Sequence, residues 1–342
     1  MSFPSTIKVI GLTGQGDFDV IKKLDAPFPK PAPDQILIKV NYAGINFIDN
    51  YWRTGIYPVA KWPYILGGEA SGTIVALPTD PAVLENPDYK LRNFSVGQRV
   101  AVNEPAQLAE YAVGRWWKTL PIPDAVSLQE ATGATAQGFT ALTFAEEAYP
   151  IQKGDTVFIH TVAGGFGLLL AQVAKLRGAT VIGSTSTAEK AKIVKENGVD
   201  HVILYKDEDV VKRVLEITNG QGVHASFDGV GKEGAEIDFQ IIRRKGTIVF
   251  VGNASGPVPP IAPLRLATKN ITICRPVASH YMETPTEYYY YGQKLNELLI
   301  NKKLNVRIHQ VVSFDEVAVQ QAERDLTGGQ TVGKLIVKVA EK

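Results

Sequence analysis

The 342-residue chain has a single cysteine, only two methionines and five histidines, and it contains no long apolar run. One cysteine, Cys274, excludes an internal disulfide and any zinc site built from several cysteines, and it fits a reducing compartment. Its apolar surroundings indicate a buried structural thiol rather than a nucleophile. No stretch reaches the length of a membrane span, and the first residues lack the pattern of a signal peptide. We expect a cytoplasmic protein that does not enter a membrane.

An excess of charge of either sign is also absent. Lys and Arg number 36 against 35 Asp and Glu, which leaves a formal net charge of +1. This balance gives no general basic surface for nucleic acid, although a local basic patch stays open. A hydrophobic fraction of 45% and a charged fraction of 21% are typical of a globular protein. The length exceeds that of a usual single core and predicts two domains.

A glycine-rich stretch in the middle of the chain carries the clearest pattern. The run Thr156-Val-Phe-Ile-His-Thr161 predicts a strand, and apolar positions at helical spacing follow a turn that contains Gly164 and Gly167. These two glycines fall at the second and third positions of a dinucleotide-binding fingerprint, whereas Val162 occupies the first. The stretch therefore predicts the start of a dinucleotide-binding unit, although such glycines also occur for packing alone.

The next strand lacks an acidic residue at its end. An NAD-binding unit places a carboxylate there to hold the ribose 2′-hydroxyl, but this chain has Ser184 and Thr185, with Lys190 about one helical turn further on. Hydroxyl groups and a positive charge suit a 2′-phosphate, so we expect NADPH rather than NADH. The alternative is that Ser184 and Thr185 only end a strand, Thr187 caps a helix and Lys190 is a solvated helix lysine.

The two parts of the chain differ in their predicted elements. Up to about Pro123, short strands separated by proline and glycine predict a β-rich domain, within which we expect 77–93 to be an exposed loop. From about Ser127, strands alternate with helices, which predicts a doubly wound parallel sheet. Thr284 and Glu287 form a capping signature for a helix that runs toward Leu299. The tail again predicts strand, helix and strand, folding back onto the first domain.

Several motifs resemble the zeta-crystallin type of quinone oxidoreductase, a zinc-free branch of the medium-chain dehydrogenase/reductase superfamily. They occur in the family's order along nearly the whole chain: Gly44-Ile-Asn-Phe-Ile-Asp49, Tyr51, Leu66-Gly-Gly-Glu-Ala-Ser-Gly72, Val96-Gly-Gln-Arg-Val100, Ala163-Gly-Gly-Phe-Gly167 and Gly333-Lys334. The resemblance implies an α/β fold with a GroES-like β-rich catalytic domain at 1–125 and 292–342. It also implies a doubly wound Rossmann domain at 126–291, NADPH as donor and an active site in the cleft between the domains.

Zinc-dependent relatives take metal ligands from a cysteine near Asn46 and from a histidine directly before Glu69. Here Gly68 occupies the second place, and a single cysteine with scattered histidines cannot form a four-ligand structural site. Without a metal to help form an alkoxide, delivery of a hydride to an electron-poor acceptor is the more natural chemistry. We therefore expect no metal.

The resemblance also assigns site residues. Asn46, Tyr51 and Tyr57 are candidate donors to the oxygen that gains negative charge, and Asp49 is a candidate orienting or cofactor-contacting group. The alternative for these residues is a purely local role in loop hydrogen bonding and packing. The predicted cofactor-binding residues are Ala163, Gly164, Gly165, Phe166, Gly167, Ser184, Thr185, Lys190, Tyr205, Gly229, Val230, Val251, Asn253 and Lys334.

Three functions stay open at this stage. The first is NADPH-dependent reduction of a quinone by one or two electrons, and the second is reduction of the carbon–carbon double bond of an enone or alkenal. The third is a structural or AU-rich RNA-binding role, against which the near-neutral charge counts. We also expect a homodimer, because an apolar strand near 271–275 could pair across a two-fold axis.

Overall fold

A computed structural model describes residues 3–340 of the chain, which form two compact units. The first unit contains the residues up to 136, together with 282–301 and those from 306 onward. The second unit contains 137–281 and 302–305. No helix within the described range combines the length and the apolar character that a membrane crossing requires.

The elements of the amino-terminal part are mostly short strands. In chain order they are β1 (Thr6–Leu12), β2 (Ile21–Pro27), β3 (Gln35–Ile45), α1 (Phe47–Thr54), β4 (Tyr64–Ile65), β5 (Ala70–Ala76), α2 (Pro81–Glu85), α3 (Pro87–Arg92), β6 (Arg99–Val102), β7 (Tyr111–Arg115) and β8 (Thr119–Pro121). Short 3₁₀ turns lie at Phe18–Val20 and Trp116–Lys118.

The middle of the chain alternates between helix and strand. It contains α4 (Leu128–Thr143), a π-helical turn (Phe144–Ala148), β9 (Thr156–Ile159), α5 (Gly165–Leu176), β10 (Thr180–Thr185), α6 (Ala188–Glu196), β11 (His201–Leu204), α7 (Val210–Ile217), β12 (Val223–Asp228), α8 (Ala235–Ile241), β13 (Ile242–Phe250), α9 (Leu264–Ala267) and β14 (Thr272–Cys274). The last part contains a 3₁₀ turn (Ala278–Tyr281), α10 (Pro285–Ile300), β15 (Ile308–Ser313), α11 (Glu316–Thr327) and β16 (Lys334–Lys338).

The first unit is built on β3. This strand takes part in a sheet of order β15-β16-β3-β5-β6-β8, to which β7 adds by pairing with β3, while β1 lies between β2 and β4 in a smaller sheet. The closing strand β16 runs antiparallel to β3 and pairs Leu335 with Ile45. The tail therefore returns to the first unit as predicted. Apolar side chains of both sheets share one core, among them Ile10, Ile38, Val100, Leu335 and Val337.

The second unit contains a six-stranded sheet of order β11-β10-β9-β12-β13-β14. Every pair of neighbouring strands in it is parallel. Strands of a parallel sheet are covered on both faces, which accounts for the nearly continuous apolar runs that form them. The strand order changes direction between β9 and β12, the position where doubly wound sheets bind ligands at their carboxyl ends. The predicted Rossmann fold is confirmed.

The segment 77–93 differs from the predicted exposed loop. It contains α2 and α3, each of which starts at a proline after a capping Asp80 or Asn86. Tyr89 is buried and packs edge-on against Trp116, with ring centroids 5.6 Å apart. Arg92 is buried as well, and its Nη1 donates to the carbonyl of Thr119 at 3.1 Å. Packing thus orders a segment whose prolines and polar residues suggested only a loop.

The helix α10 also differs from the predicted domain division. It begins at the predicted capping box, in which Thr284 and Glu287 exchange hydrogen bonds. Its Tyr288 is buried and donates to the carbonyl of Lys118, and its Asn296 donates to that of Pro121. These contacts place the whole of α10 in the first unit, so residues 282–291 lie there rather than in the second unit.

Candidate active site

The turn after β9 is shaped by close packing. A Cβ built on Gly167 would lie 2.7 Å from the Cα of Val162, so only glycine lets α5 approach the turn this closely. Val162 is fully buried, and its side chain fills the space beside Gly183, where an added Cβ would lie 2.6 Å from Val162 Cγ1. The departure at the first fingerprint position therefore has a structural reason: a valine beneath a glycine of the next strand.

The predicted turn residues occur at the amino end of α5. Gly164 is the residue before the first helical turn, and Ala163 is buried behind it. Gly165 and Phe166 begin the helix, and the Phe166 ring packs edge-on against Phe144 at 6.0 Å. A helix start presents unpaired N–H groups and a positive dipole end, which together suit an anion such as a pyrophosphate.

A basic corner forms where β10 and β11 end. Ser184 and Thr185 are buried at the end of β10, and the backbone N–H of Tyr205 donates to the carbonyl of Thr185 at 3.1 Å. Burial lowers the pKa of Lys190, and the nearby positive charge of Lys206 lowers it further. The two ammonium groups repel each other, and the end of β10 beside them carries no acid. This arrangement indicates a site for an anion. Sequence reasoning missed Lys206.

The turns after β12 and β13 are joined by backbone hydrogen bonds. The buried carboxylate of Asp228 accepts N–H groups from Val230 at 2.6 Å and Gly231 at 3.1 Å. The backbone N–H of Val251 donates to the Asp228 carbonyl at 2.6 Å. These bonds hold four predicted cofactor residues at the carboxyl ends of neighbouring strands: Gly229, Val230, Val251 and Asn253.

A buried polar cluster underlies these turns, and we call its members His160, Ser226, Asp228 and Asp238 the histidine cluster. His160 Nε2 lies 2.8 Å from Asp238 Oδ1, which also accepts a hydrogen bond from Ser226. Burial opposes a charged imidazole, but the carboxylate of Asp238 outweighs it and raises the pKa of His160. Burial also raises the pKa of Asp228 to about 6.

Three members of the histidine cluster, His160, Asp228 and Asp238, are the group within residues 3–340 whose donor atoms are close enough to hold a metal ion. His160 and Asp238 already bond to each other, and Asp228 already accepts two backbone N–H groups. These hydrogen bonds explain why the three side chains lie close together: they form a hydrogen-bond network. Sequence reasoning did not predict it.

The candidate donors of the first unit gather at the end of β3. Asn46 precedes α1, and its backbone N–H donates to Asp49 Oδ2 at 2.8 Å, while the N–H of Asp49 returns a bond to the Asn46 carbonyl. Burial raises the pKa of Asp49 to about 7, and the neighbouring Glu69 also raises it, against the opposing effects of the Asn46 N–H and of Lys334. A carboxyl that titrates near neutrality is therefore buried beside Asn46.

A buried ion pair faces the Asn46 side chain. Lys334 Nζ lies 2.6 Å from Glu69 Oε1, and the two side chains are almost completely buried. The same ammonium donates to Asn46 Oδ1 at 2.5 Å and to the Ile45 carbonyl at 2.9 Å. Asn46 Nδ2 donates in turn to Glu69 Oε2 at 2.8 Å. We call Asn46, Glu69 and Lys334 the lysine triangle.

Glycine makes room for the lysine triangle. A Cβ on Gly44 would lie 1.7 Å from Glu69 Oε1, so any other residue there would displace the carboxylate. The structure therefore places Lys334 within the first unit's polar network, and its predicted contact with a cofactor stays a prediction. Sequence reasoning assigned no role to Glu69, although an acid between glycine and small apolar residues is a signal for a buried functional carboxylate.

The two predicted tyrosines lie next to each other. Tyr51 is buried on α1, and Tyr57 follows that helix, with the two ring centroids 5.1 Å apart in an edge-on arrangement. Phe47 packs against the other side of Tyr51 at 5.5 Å. The structure thus brings Asn46, Asp49 and both tyrosines into one short stretch of the first unit.

Comparisons with known proteins agree with this architecture. Residues 32–124 match the alcohol dehydrogenase GroES-like domain, and residues 165–293 match the zinc-binding dehydrogenase domain. A probable quinone oxidoreductase of Schizosaccharomyces pombe is 34% identical over 96% of both chains. A 2-haloacrylate reductase of Burkholderia is 31% identical over 90% of this chain and 91% of its own. The crystal structure of Escherichia coli quinone oxidoreductase complexed with NADPH covers 97% of this chain and 100% of its own, with a TM-score of 0.89 and 28% identity.

A GroES-like domain combined with a Rossmann domain defines a medium-chain dehydrogenase/reductase. Within that class, the chain belongs to the quinone oxidoreductase family, as the extent and level of identity show.

Proposed function

We propose that this protein is an NADPH-dependent quinone reductase that works without zinc. The observation that carries the proposal is the basic corner: Lys190 and Lys206 lie beside a β10 end that has hydroxyl groups and no acid. Such a corner favours a 2′-phosphate over a free 2′-hydroxyl. The NADPH in the similar Escherichia coli structure supports the same cofactor.

Different residues are suited to binding different parts of the cofactor. The amino end of α5, with Gly164 and Gly167, suits the pyrophosphate, and the turns that contain Gly229, Val230 and Asn253 suit the middle of the molecule. When bound, NADPH supplies a hydride. The acceptor would be reduced beside the bound cofactor.

The residues of the first unit would act on the acceptor. A quinone that takes up a hydride also takes up one proton to become a hydroquinone, and negative charge develops on an oxygen before the proton arrives. Asn46, Tyr51 and Tyr57 are candidate donors to that oxygen, where hydrogen bonds would lower the barrier. Asp49, whose pKa is about 7, could hold the proton at neutral pH. No step in this proposal requires a metal.

The test is a steady-state screen with purified protein. Ortho-quinones, para-quinones and alkenals are each combined with NADPH and with NADH, and the products are identified. We expect NADPH to be preferred, quinones to be reduced to hydroquinones, and activity to survive a metal chelator. Loss of activity with the chelator, restored by added zinc, would contradict the zinc-free proposal. Failure of every quinone would contradict the substrate class.

Reduction of an activated carbon–carbon double bond is the second candidate. It is favoured by the 2-haloacrylate reductase that is 31% identical to this chain, because that name describes reduction of an unsaturated acid. The same hydride would attack a carbon atom of the acceptor instead. A saturated carbonyl or acid as the main product of the screen would favour this function over quinone reduction.

Location and assembly complete the proposal. We propose a cytoplasmic homodimer, since β14 is an edge strand of the six-stranded sheet and could pair with a second copy. Light scattering would test this, because a monomer would contradict it. The near-neutral net charge counts against RNA binding as the main function, and salt-dependent binding to a uridine-rich strand would be needed to support it.

A further inference from the structure

The lysine triangle controls which atoms of the Asn46 amide face which way. An ammonium group can only donate hydrogen bonds, and a carboxylate can only accept them. Lys334 lies 2.5 Å from the amide oxygen of Asn46, and Glu69 Oε2 lies 2.8 Å from its nitrogen. Turning the amide over would set nitrogen against ammonium and oxygen against carboxylate, so this pair of charges permits one orientation.

The fixed orientation turns the nitrogen toward the turn that precedes β5. A Cβ built on Gly68 would lie 3.7 Å from Asn46 Nδ2, so the amide nitrogen borders the space beside that glycine. A larger side chain at Gly68 would fill this space. The end of the amide that meets it is therefore the donor end rather than the acceptor end.

The Lys334 ammonium has little capacity for other contacts. Three oxygen atoms surround it, those of Ile45, Asn46 and Glu69, at 2.9, 2.5 and 2.6 Å. Of its three N–H groups, two donate to Ile45 and Asn46, while Glu69 Oε1 pairs with the ammonium by charge. Lys334 is thus suited to holding Asn46 in place, and Glu69 accepts a hydrogen bond from Asn46 and forms an ion pair with Lys334.

We propose that Glu69 and Lys334 are positioning residues that fix the Asn46 amide with its donor end toward the acceptor. The proposal rests on the proposed function, because it assigns Asn46 to the oxygen that gains negative charge. Replacing a buried ion pair by apolar residues is often neutral or stabilising, so stability alone does not explain keeping a pair at this position. Orienting the Asn46 amide is a chemical reason for an ion pair between Glu69 and Lys334.

The experiment uses the full chain with the double substitution Glu69→Gln and Lys334→Met. It removes both charges and leaves neither a buried ammonium nor a buried carboxylate without its partner. The matched control is Glu85→Gln with Lys90→Met, an exposed ion pair of the same unit with an N–O distance of 2.6 Å. Each protein is measured for thermal midpoint, NADPH affinity, kcat and KM for a quinone.

We expect the double variant to keep its thermal midpoint while kcat at saturating NADPH falls about 10- to 100-fold, as misplaced catalytic groups commonly cause. The NADPH affinity reports separately on the predicted contact between Lys334 and the cofactor. Adding Asn46→Ala to the double variant should lower kcat little further, although Asn46→Ala alone should lower it by a similar factor. Such non-additivity is the sign that the three residues act as one unit. The control should keep the activity of the wild type.

A double variant that turns over like the wild type would overturn the proposal, as would an Asn46→Ala effect that is equally large in both backgrounds. If the wild type reduces no quinone, the proposed function fails separately. Positioning is then judged by calorimetric affinity for a quinone. Equal affinity in the wild type and the double variant would overturn it, and weaker affinity only in the double variant would support it.

Discussion

The two units each bury one polar cluster beside their candidate functional residues, but the clusters are built differently. The histidine cluster joins residues of β12 and α8 to His160, which directly follows β9. Its members His160 and Asp238 lie 78 positions apart in the chain. The lysine triangle joins the ends of β3, β5 and β16, with Lys334 lying 288 positions after Asn46. One cluster is thus local to a Rossmann core, whereas the other depends on the tail returning to the first unit.

The cations of the two clusters also differ in chemistry. An imidazole can lose its proton near neutral pH, so His160 can become neutral when its partner is removed. Removal of Lys334 instead leaves the Glu69 carboxylate buried without a cation, which is costly. We therefore expect the lysine triangle to tolerate damage less well than the histidine cluster, and the following experiments test that difference.

The largest effect should come from Lys334→Met alone. The change leaves the Glu69 carboxylate buried without its partner, which should reduce the free energy of unfolding by about 3–5 kcal/mol. Denaturant titration measures it. Lys338→Met on the same strand, where the side chain is exposed, is the control and should change little. A loss no greater than the control's would mean that the ion pair does not support the fold.

The next effect concerns binding at the basic corner of the second unit. Lys190→Ala should weaken NADPH by about 1.5–3 kcal/mol, because a charge-assisted contact to the 2′-phosphate is lost, while NADH changes little. Calorimetry with both cofactors measures the difference. The exposed Lys192 on the same helix provides the control, Lys192→Ala. Equal weakening of both cofactors would remove Lys190 from the phosphate site.

A smaller loss should follow Asp238→Asn in the histidine cluster. His160 and Ser226 lose a charged acceptor, which should cost about 1–3 kcal/mol of unfolding free energy, less than Lys334→Met because the imidazole can shed its proton. Thermal unfolding compares the two variants directly, with the exposed Glu233→Gln as control. The comparison between the clusters breaks down if Asp238→Asn is the more damaging change.

The smallest effect is a pH dependence caused by Asp49. Burial raises its pKa to about 7, so its contribution to stability is fully present below the ordinary carboxyl range and is lost as the pH rises through about 7. The wild type should lose about 1 kcal/mol more stability than Asp49→Asn between about pH 6 and pH 8. Asp19→Asn, at an exposed carboxyl, should follow the wild type. Parallel curves for wild type and Asp49→Asn would contradict the titration.

Local patterns predicted the second unit well. The apolar run at 156–161, the strand that ends at Thr185, the glycines at 164 and 167 and the alternation of strands and helices after Ser127 are local signals, and each became the expected element. The capping box at Thr284 also ended up at a helix start. The segment 77–93 was predicted poorly, because its helices depend on Tyr89 and Arg92 finding distant partners such as Trp116 and Thr119.

In the candidate site as well, features that depend on local sequence could be predicted and features that depend on distant contacts could not. Asn46, Asp49 and Tyr51 follow one another closely, and their grouping on and just before α1 could be predicted from a motif. The place of Glu69 and Lys334 could not, because nothing in the residues around Lys334 indicates that its ammonium meets the Asn46 amide. Lys206 was missed for a similar reason, since it reaches Lys190 only because β10 and β11 lie side by side.

The amino-acid sequence by itself determined the two-domain fold, the family and the character of the nucleotide-binding turn, because these depend on periodicity, glycine positions and short motifs. Only the tertiary structure decided which charged side chains share a buried environment. Pairing between β3 and β16 brings Lys334 to Asn46, and pairing between β3 and β5 brings Glu69 to both. Contacts between residues so far apart in the chain exist only once the sheets have formed.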